Sequence, residues 1–361
     1  MNRQVVALLL AVCCWLCALA SGQVLENAIM LPDTLGPLNG PYCLAWDDNP
    51  VHPRLYVGGA GGFYPGQPPE DSGGVIVAEA IACKRLARIP TGPVKALCFV
   101  APHNKLYVAK LNTDTVEVVD CVTNQVVSAV HIACEVPVMQ YNARCDRLYC
   151  GGSSVSVIDC SADTILHTIP VAASVFALDS ARTKLYVGRD GPLTVVDCTG
   201  DTVMATIPEI GLDSALCYNP TAKKVYAVSG DTLFAVDTHD DSVVARLAFP
   251  GLVPLLPCDA NRNRLYCAYS GYWASIDCAG DSVLVSYRVG VTPAHIACNA
   301  GRDVLYTTYT AYTPEVDLFN GTTGQYETLV YLDGQSTGIT WVPSLDRLYC
   351  FLGCPRFDGQ L

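Results

Sequence analysis

The chain has 361 residues, of which 51% are hydrophobic and 16% are charged, and its formal net charge is −12. This composition excludes a disordered chain, which would be poorer in apolar residues and richer in charge. The acidic balance argues against a nucleic-acid partner, because nothing here would neutralise a run of phosphates. The length suits a large core or one repeat domain.

The N-terminus resembles an export signal. A basic start, Met1-Asn2-Arg3, precedes the apolar stretch 5–20, and Ala18-Leu19-Ala20 fits a small-residue cleavage site. We expect cleavage after Ala20, with Gly22 as the alternative, so that 1–20 is a signal peptide and 21–361 a single domain. The apolar run is short for a membrane span. The sequence therefore predicts a periplasmic, extracellular or cell-surface protein without a membrane span after cleavage.

The cysteines are numerous for an exported domain. The leader contains three of the 19, which leaves 16 in the mature chain. Four of them occupy a repeat position at which Tyr141, Leu178 and Trp341 stand elsewhere, so we interpret that position as a packing site and expect mostly free thiols. The best disulfide candidate is Cys258 with Cys267, which would lie opposite each other in a hairpin centred on 262–263.

Metal and haem sites are not expected. The mature chain has no Cys-x-x-Cys and no Cys-x-x-Cys-His motif, and the whole chain has six histidines. It also lacks a glycine-rich phosphate loop and a dinucleotide-binding motif. The sequence therefore predicts no cofactor.

An internal repeat runs through the chain. A Leu-Tyr pair (once Val-Tyr) recurs mostly every 37 to 43 residues, and an Asp that ends an apolar run recurs with nearly the same period. One unit contains four strand signals separated by turn residues: a at 137–142, b at 147–150, c at 154–159 and d at 164–171. Strand c is apolar on both sides, which predicts that it is covered on both, whereas strand d alternates with polar residues and is predicted to lie outside. The tyrosines of the repeat are Tyr56, Tyr107, Tyr149, Tyr186, Tyr226, Tyr266, Tyr306 and Tyr349, and its aspartates are Asp120, Asp159, Asp197, Asp237, Asp277 and Asp317.

Repeats of about 40 residues with four strands each are typical of an all-β fold, the β-propeller. Seven complete sets run from Cys43 to about Gly334, an a–b pair follows at 336–350, and 24–32 reads as a lone strand d. Joining the lone strand to the last pair would close the ring and remove its open edges. We therefore expect eight blades with N- and C-terminal strand closure, and seven blades as the alternative.

The segment "LYVAKLNTDTVEVVDCVTNQVVSAVHI" (106–132) resembles the repeat of YVTN-type β-propellers, the family of YncE-like and surface-layer-like proteins. The resemblance covers most of 41–352 and departs from the family pattern where Cys follows the Asp or Leu-Tyr. It is specific to the repeat and not to one activity. It implies a binding or catalytic face built from the d–a and b–c loops around the mouth of a central channel.

The repeated charges are interpreted as structural. A basic residue precedes the Leu-Tyr pair in seven of eight units, and pairing b with c brings it beside the Asp that ends strand c. Opposite charges placed across strands tend to pair locally. The ion pairs expected within single blades are Lys105 with Asp120, Arg147 with Asp159, and Lys184 with Asp197.

Aromatic residues cluster on the loops that the resemblance assigns to the functional face. They belong to blades 6, 7, 8 (Phe351) and 1, which would be consecutive around a closed ring and would form an arc on one face. Exposed aromatic rings offer a large, rigid contact area for a protein or glycan. The predicted binding residues are Tyr269, Tyr272, Tyr309, Tyr312 and, in the long insertion 58–74, Phe63 and Tyr64.

Two functions remain open from the sequence. The first is an exported, non-catalytic and monomeric module that binds a protein or glycan, or acts as a scaffold, at the cell envelope. The second is a hydrolytic propeller of the lactonase-like or lyase-like sort, which the resemblance keeps open. It would use His295 with Glu209 or Asp213 as its carboxylate at the channel mouth.

Overall fold

The computed structural model describes residues 39–49, 51–60, 73–82, 84–212, 215–309, 314–332 and 336–352. These ranges form 31 β-strands and two short 3-10 helices, Ala101–His103 and Pro343–Leu345. The strands build seven four-stranded blades in a propeller arrangement and one two-stranded sheet. The predicted signal peptide and the strand expected at 24–32 lie outside the described residues.

Blades 1 to 4 each contain four antiparallel strands in chain order, a to d from the channel outwards. Blade 1 comprises β1 (Asn39–Asp47), β2 (Arg54–Ala60), β3 (Gly73–Glu79) and β4 (Lys84–Ile89). Blade 2 comprises β5 (Val94–Val100), β6 (Lys105–Lys110), β7 (Thr115–Asp120) and β8 (Gln125–His131). Blade 3 comprises β9 (Val138–Asn142), β10 (Arg147–Gly151), β11 (Val155–Asp159) and β12 (Thr164–Ile169). Blade 4 comprises β13 (Val175–Asp179), β14 (Lys184–Gly188), β15 (Gly191–Asp197) and β16 (Thr202–Leu212).

Blades 5 to 7 repeat this order, except that two short strands share the inner position of blade 6. Blade 5 comprises β17 (Leu216–Asn219), β18 (Lys224–Ser229), β19 (Thr232–Asp237) and β20 (Val243–Ala248). Blade 6 comprises β21 (Leu252–Val253), β22 (Cys258–Asp259), β23 (Arg264–Tyr269), β24 (Tyr272–Asp277) and β25 (Ser282–Arg288). Blade 7 comprises β26 (His295–Asn299), β27 (Val304–Thr308), β28 (Glu315–Asn320) and β29 (Tyr326–Tyr331). The last sheet is the hairpin of β30 (Ser336–Val342) and β31 (Arg347–Leu352).

The described residues form seven four-stranded blades, as in the alternative count, and not the eight that we expected first. The a–b pair predicted at 336–350 is present as the hairpin β30–β31, but the described residues add no strand c or d to it. The hairpin nevertheless fills the place between blades 7 and 1. Trp341 stacks on Tyr306 of blade 7, with ring centroids 5.7 Å apart, and the Tyr349 hydroxyl donates to the carbonyl of Ala80 in blade 1 at 2.9 Å.

The burial of the strands follows the predicted pattern. In blade 3, the first four residues of β11 are buried, whereas the first five of β12 are exposed. A strand with blades on both sides buries both of its faces, and only the outermost strand meets solvent. The repeat tyrosines from Tyr56 to Tyr306 are at most 1% exposed, so their rings are part of the packing between blades.

The expected register between strands b and c is confirmed. Arg147 pairs with Asp159, Lys105 with Asp120, and Lys184 with Asp197. The ion pairs expected from that register are nevertheless wrong. Each of these aspartates accepts backbone N–H groups of its own c–d turn instead; Asp120, for example, accepts those of Val122 and Thr123, each at 2.8 Å.

Four of the basic residues that begin strand b form ion pairs with the next blade. In these four, the partner is an Asp four residues beyond the Asp that ends strand c, and the repeat tyrosine of the same strand b donates its hydroxyl to that carboxylate. In blade 3, Arg147 lies 2.5 Å and the Tyr149 hydroxyl 2.8 Å from the carboxylate of Asp201, whose side chain is fully buried. We call this arrangement the staple. The other staples join Lys105 to Asp163 at 2.8 Å, Lys184 to Asp241 at 2.8 Å, and Lys224 to Asp281 at 2.5 Å.

The staple depends on an unusual backbone conformation. Asp163, Asp201, Asp241 and Asp281 have φ between 48° and 61°, the left-handed region that Asp and Asn tolerate better than most residues. This conformation ends the c–d turn and allows the carboxylate to reach the preceding blade. All staples therefore lie on one rim of the ring, the staple rim, which carries the a–b and c–d turns. The opposite rim, the loop rim, carries the b–c turns and the d–a connections.

The fourteen described cysteines are all free thiols. The disulfide candidate Cys258–Cys267 is wrong, because β22 and β23 pair two residues out of the register we expected. Cys258 lies opposite Leu265, and Cys267 lies opposite Ala274. Among the described residues, no helix has the length and apolar character that crossing a membrane requires.

Candidate binding site

The b–c turn of blade 6 places two tyrosine rings side by side on the loop rim. Tyr269 ends β23 and Tyr272 begins β24, and the two residues are paired across the hairpin. Their ring centroids are 5.4 Å apart with an interplanar angle of 14°, which is a stacked arrangement. Both side chains are half-buried. The pair therefore forms one stacked aromatic unit at this turn, which we call the tyrosine platform.

The turn beneath the platform is held on both sides. Ser270 and Gly271 have φ of 38° and 81°, as a two-residue hairpin with two left-handed positions requires. The Ser270 hydroxyl donates to the Pro250 carbonyl at 2.6 Å, and the Gly271 N–H donates to the Thr292 hydroxyl at 2.7 Å. Pro250 precedes blade 6 and Thr292 follows it, so both adjoining d–a connections fix the turn.

Tyr269 is fixed in orientation by its neighbours. Its ring centroid lies 5.0 Å from that of the buried Phe249, at an angle of 52°. Its hydroxyl forms a hydrogen bond with the Ser286 hydroxyl. A ring that is held by packing and by a hydrogen bond loses little conformational entropy when a partner covers it.

Blade 7 has a hydrogen-bonded polar cluster at the end of strand b, where blade 6 has the platform. Tyr309 is only 7% exposed, so the structure places it in the interior and not on a surface next to the platform. Its hydroxyl donates to the carboxylate of Asp317 at 3.0 Å and lies 3.0 Å from the hydroxyl of Thr307. Burial raises the pKa of Asp317, the Tyr309 hydrogen bond opposes that rise, and Glu315 adds to it.

Asp317 is not the repeat aspartate that we assigned from the sequence. The equivalent position, opposite the first residue of strand b, is Asn320, which pairs with Val304. The Asn320 side chain accepts the N–H groups of Thr322 and Thr323 at 3.0 and 2.8 Å, as Asp120 does in blade 2. The interval of 40 residues from Asp277 pointed to Asp317 because the b–c segment of blade 7 is three residues longer than that of blade 6.

The residues of the hydrolytic alternative do not form a contact in the described part of the chain. His295 begins β26 and is partly buried, which lowers its pKa. Glu209 pairs with Arg246, whose guanidinium also lies 5.7 Å from the Phe234 ring centroid. Among the described residues, no carboxylate forms a hydrogen bond or ion pair with His295.

Four residues of the predicted sites lie outside the described residues: Phe63, Tyr64, Tyr312 and Asp213. The described part of the predicted aromatic arc therefore consists of the platform and the interior Tyr309. No group of three or more His, Cys, Asp or Glu side chains in the described ranges is arranged to hold a metal ion.

Sequence reasoning missed the groups that hold the platform. Phe249 follows strand d of blade 5, and Ser286 lies in strand d of blade 6; neither departs from an ordinary strand pattern. The staple aspartates did leave a signal, since Asp163, Asp201, Asp241 and Asp281 recur at intervals of 38, 40 and 40 residues. That period equals the repeat and could have identified them.

No family model matches the chain, and neither does any curated protein. Solved structures do resemble it. The Saccharomyces cerevisiae protein Sqt1 has a TM-score of 0.66 at 13% identity over 84% of this chain and 88% of that one. The computationally designed protein Ika8 has a TM-score of 0.63 at 12% identity over 88% and 97%. Hydrazine synthase of Kuenenia stuttgartiensis has a TM-score of 0.55 at 13% identity over 86% and 99%. At such identities the likeness shows the fold alone, a β-propeller.

Proposed function

We propose that this chain is a non-catalytic binding module, a monomeric propeller of the YVTN type exported to the cell envelope, and that a protein partner binds on the tyrosine platform. The observation that carries the proposal is the stacked pair Tyr269–Tyr272, half-buried on a turn that both neighbouring connections hold. A propeller is also commonly a platform for protein partners. The hydrolytic alternative stays a prediction of the sequence.

The platform has the properties of a binding hot spot. Tyr is enriched among the residues that contribute most to protein interfaces, because its ring is large and rigid and its hydroxyl can still form a hydrogen bond. Here Phe249 packs against the Tyr269 ring, and Ser286 forms a hydrogen bond with the Tyr269 hydroxyl. The platform is therefore preorganised, which reduces the entropy lost on binding.

A comparison with other surface tyrosines supports the choice. Tyr326 and Tyr331 on the outer strand β29 are 45% and 70% exposed. Tyr326 packs edge-on against Phe319, but the described residues show no stacked pair between Tyr326 and Tyr331. Exposed aromatic residues without such a pair are common on protein surfaces and need no function. These two residues therefore provide a control of the same chemistry at a different place.

The test is a pull-down from an envelope extract with the mature protein, the double variant Tyr269→Ala/Tyr272→Ala, and the control Tyr326→Ala/Tyr331→Ala. We expect a partner that wild type and the control retain, and that the platform variant binds at least about 30-fold more weakly, as the loss of two hot-spot side chains implies. Circular dichroism must first show that all three proteins have the same strand signal.

Deglycosylation of the extract shows whether the partner is a protein or a glycan. Binding that survives deglycosylation of the extract identifies a protein partner, and binding that is lost identifies a glycan. Equal recovery by wild type and the platform variant would contradict the proposal. In that case His295→Ala would be assayed next against lactone and ester substrates, where a loss of turnover would favour the hydrolytic alternative.

A further inference from the structure

Two cysteines face each other across the interface between blades 5 and 6. Cys217 on β17 pairs with Tyr226, and Cys258 on β22 pairs with Leu265. Directly paired residues of antiparallel strands share a face of the sheet. The Tyr226 hydroxyl donates to Asp281 of blade 6 at 2.8 Å, so the face that carries Cys217 is turned towards blade 6. The face that carries Leu265 and Cys258 packs in the core shared with blade 5.

The two side chains lie in the same part of the interface. Cys217 and Cys258 both pack against the core cluster that blades 5 and 6 share. A third thiol, that of Cys298, donates to the backbone carbonyl of Cys258 at 3.3 Å. The Cys298 sulfur is therefore directed at the backbone of Cys258, and Cys217 is the cysteine at the position that faces Cys258 across the interface.

This juxtaposition is particular to one interface. Each interface has two such positions. On strand a of one blade, the residue paired with the repeat tyrosine faces the next blade. On strand a of that next blade, the residue paired with the Leu or Val before the repeat tyrosine faces the preceding blade. Where both positions lie in described strands, only the interface between blades 5 and 6 has two cysteines. The other facing pairs are Ala45 with Phe99, Cys98 with Tyr141, Gln140 with Leu178, Ala177 with Tyr218, Ala297 with Trp341, and Thr340 with Trp46.

We propose that Cys217 and Cys258 form a redox-sensitive pair, which a low-molecular-weight disulfide oxidises to an intramolecular disulfide between blades 5 and 6. The thiolate of one cysteine attacks the small disulfide and displaces one small thiol. The second cysteine attacks the resulting mixed disulfide and displaces the other. The protein loses two protons and two electrons, and both leave with the two small thiols. This inference is independent of the partner-binding role.

The disulfide has two physical consequences. It closes a loop from residue 217 to residue 258, which restricts the unfolded chain and stabilises the folded state. It also forms slowly near neutral pH, because the neighbouring Cys258 thiol and then burial raise the pKa of Cys217. A small thiolate fraction limits exchange, so the rate rises with pH.

The test incubates the mature protein with excess oxidised glutathione at high pH and then blocks the remaining thiols. Peptide mapping without reduction is expected to show a Cys217–Cys258 linked peptide that disappears on reduction. The variant Cys217→Ser should lose this peptide. The matched control Cys98→Ser should keep it, because Cys98 occupies the same forward-facing position but has Tyr141 opposite.

The thermal midpoint gives a second measurement. Oxidation should raise Tm by roughly 5 °C in wild type and in the Cys98→Ser variant, and by nothing in the Cys217→Ser variant. Absence of the linked peptide after prolonged oxidation would overturn the proposal, whether no thiol reacts or another pair, such as Cys258 with Cys298, forms instead.

Discussion

The two rims of the propeller differ in how strictly they keep the repeat. On the staple rim, four consecutive interfaces use the same elements: a Lys or Arg that begins strand b, the buried tyrosine, and a left-handed Asp in the next blade. On the loop rim, blade 6 carries a tyrosine platform, whereas blade 7 carries the interior polar group of Tyr309 and Asp317. Ring assembly depends on contacts between neighbouring blades, and one rim supplies enough of them to leave the other free to vary.

The largest expected effect comes from removing one staple. Asp201→Ala leaves the Arg147 guanidinium and the Tyr149 hydroxyl without the buried carboxylate that both contact. We expect the free energy of unfolding to fall by about 3 kcal/mol, because breaking a buried ion pair strands its partner. The urea midpoint measures this change.

The matched control for that variant is Asp197→Ala. Asp197 lies opposite Lys184 in the strand register. Its carboxylate nevertheless accepts a hydrogen bond from its own turn, from the N–H of Thr199 at 2.9 Å. Loss of such a turn bond should cost about 0.5–1 kcal/mol. If Asp201→Ala and Asp197→Ala lowered the free energy of unfolding equally, the ion pair between blades would contribute no more than a turn within one blade. That result would contradict the contrast between the rims.

A smaller effect, a gain in stability, is expected at an interface where the staple is incomplete. At the interface of blades 1 and 2, Asn124 has the left-handed φ of 56° but no carboxylate, and its side-chain oxygen is buried without a hydrogen-bond partner among the described residues. Arg54 already donates to the carbonyl of Cys121 there. Asn124→Asp should add the missing ion pair and raise the urea midpoint, by about 1 kcal/mol of stability.

Asn124→Ser is the control for that gain, since it changes the same turn without adding charge. If the Asp and Ser variants were equally stable, or if Asp destabilised the protein, the staple at this interface would need more than a carboxylate at this position.

The smallest effect concerns the loop rim and depends on pH. Since the pKa of Asp317 is raised in the folded state, its contribution to stability is fully present below the ordinary carboxyl pKa and is lost as pH rises through the folded value. Asp317→Asn keeps an acceptor for Tyr309 and removes the titration. We therefore expect wild type to lose stability relative to this variant as pH rises from about 4 to about 7.

Thermal midpoints of both proteins across this pH range measure the difference. A difference that does not change with pH would show that Asp317 titrates alike in the folded and unfolded states. Asp240→Asn is a suitable reference, because hydrogen bonds from Ser242 lower the pKa of Asp240, and its pH dependence should have the opposite sign.

The sequence predicted the blade well because a blade is a local object. The four strands of blade 3 lie within one or two residues of their predicted bounds, and the pairing of Arg147 with Asp159 follows from a short hairpin. The partner of Arg147 was missed because it depends on how one blade packs on the next. The Asp159 carboxylate accepts hydrogen bonds from the N–H groups of Ser161 and Ala162, and the Arg147 guanidinium pairs with Asp201 instead.

The site was harder to predict, for a related reason. Tyr269 and Tyr309 occupy similar positions in the repeat, and only the structure shows that Tyr269 stacks at the rim while Tyr309 turns inward to Asp317. The b–c segment of blade 7 is three residues longer than that of blade 6, a difference that the period of 40 residues does not reveal. Asp317 therefore lies within strand c, opposite Thr307, and not at its end. Burial and hydrogen bonding of single side chains are set by contacts between elements, which a repeat pattern does not contain.

The hairpin β30–β31 has a consequence for how the ring forms during synthesis. Arg347 and Tyr349 bond to the carbonyls of Ile81 and Ala80, more than 260 residues earlier in the chain. Blade 1 therefore leaves the ribosome long before the strand that covers its flank, and contacts of such long sequence separation form late. We therefore expect completion of the ring to be the final folding step, so that a chain stalled before β31 exposes the flank of blade 1 to chaperones and proteases.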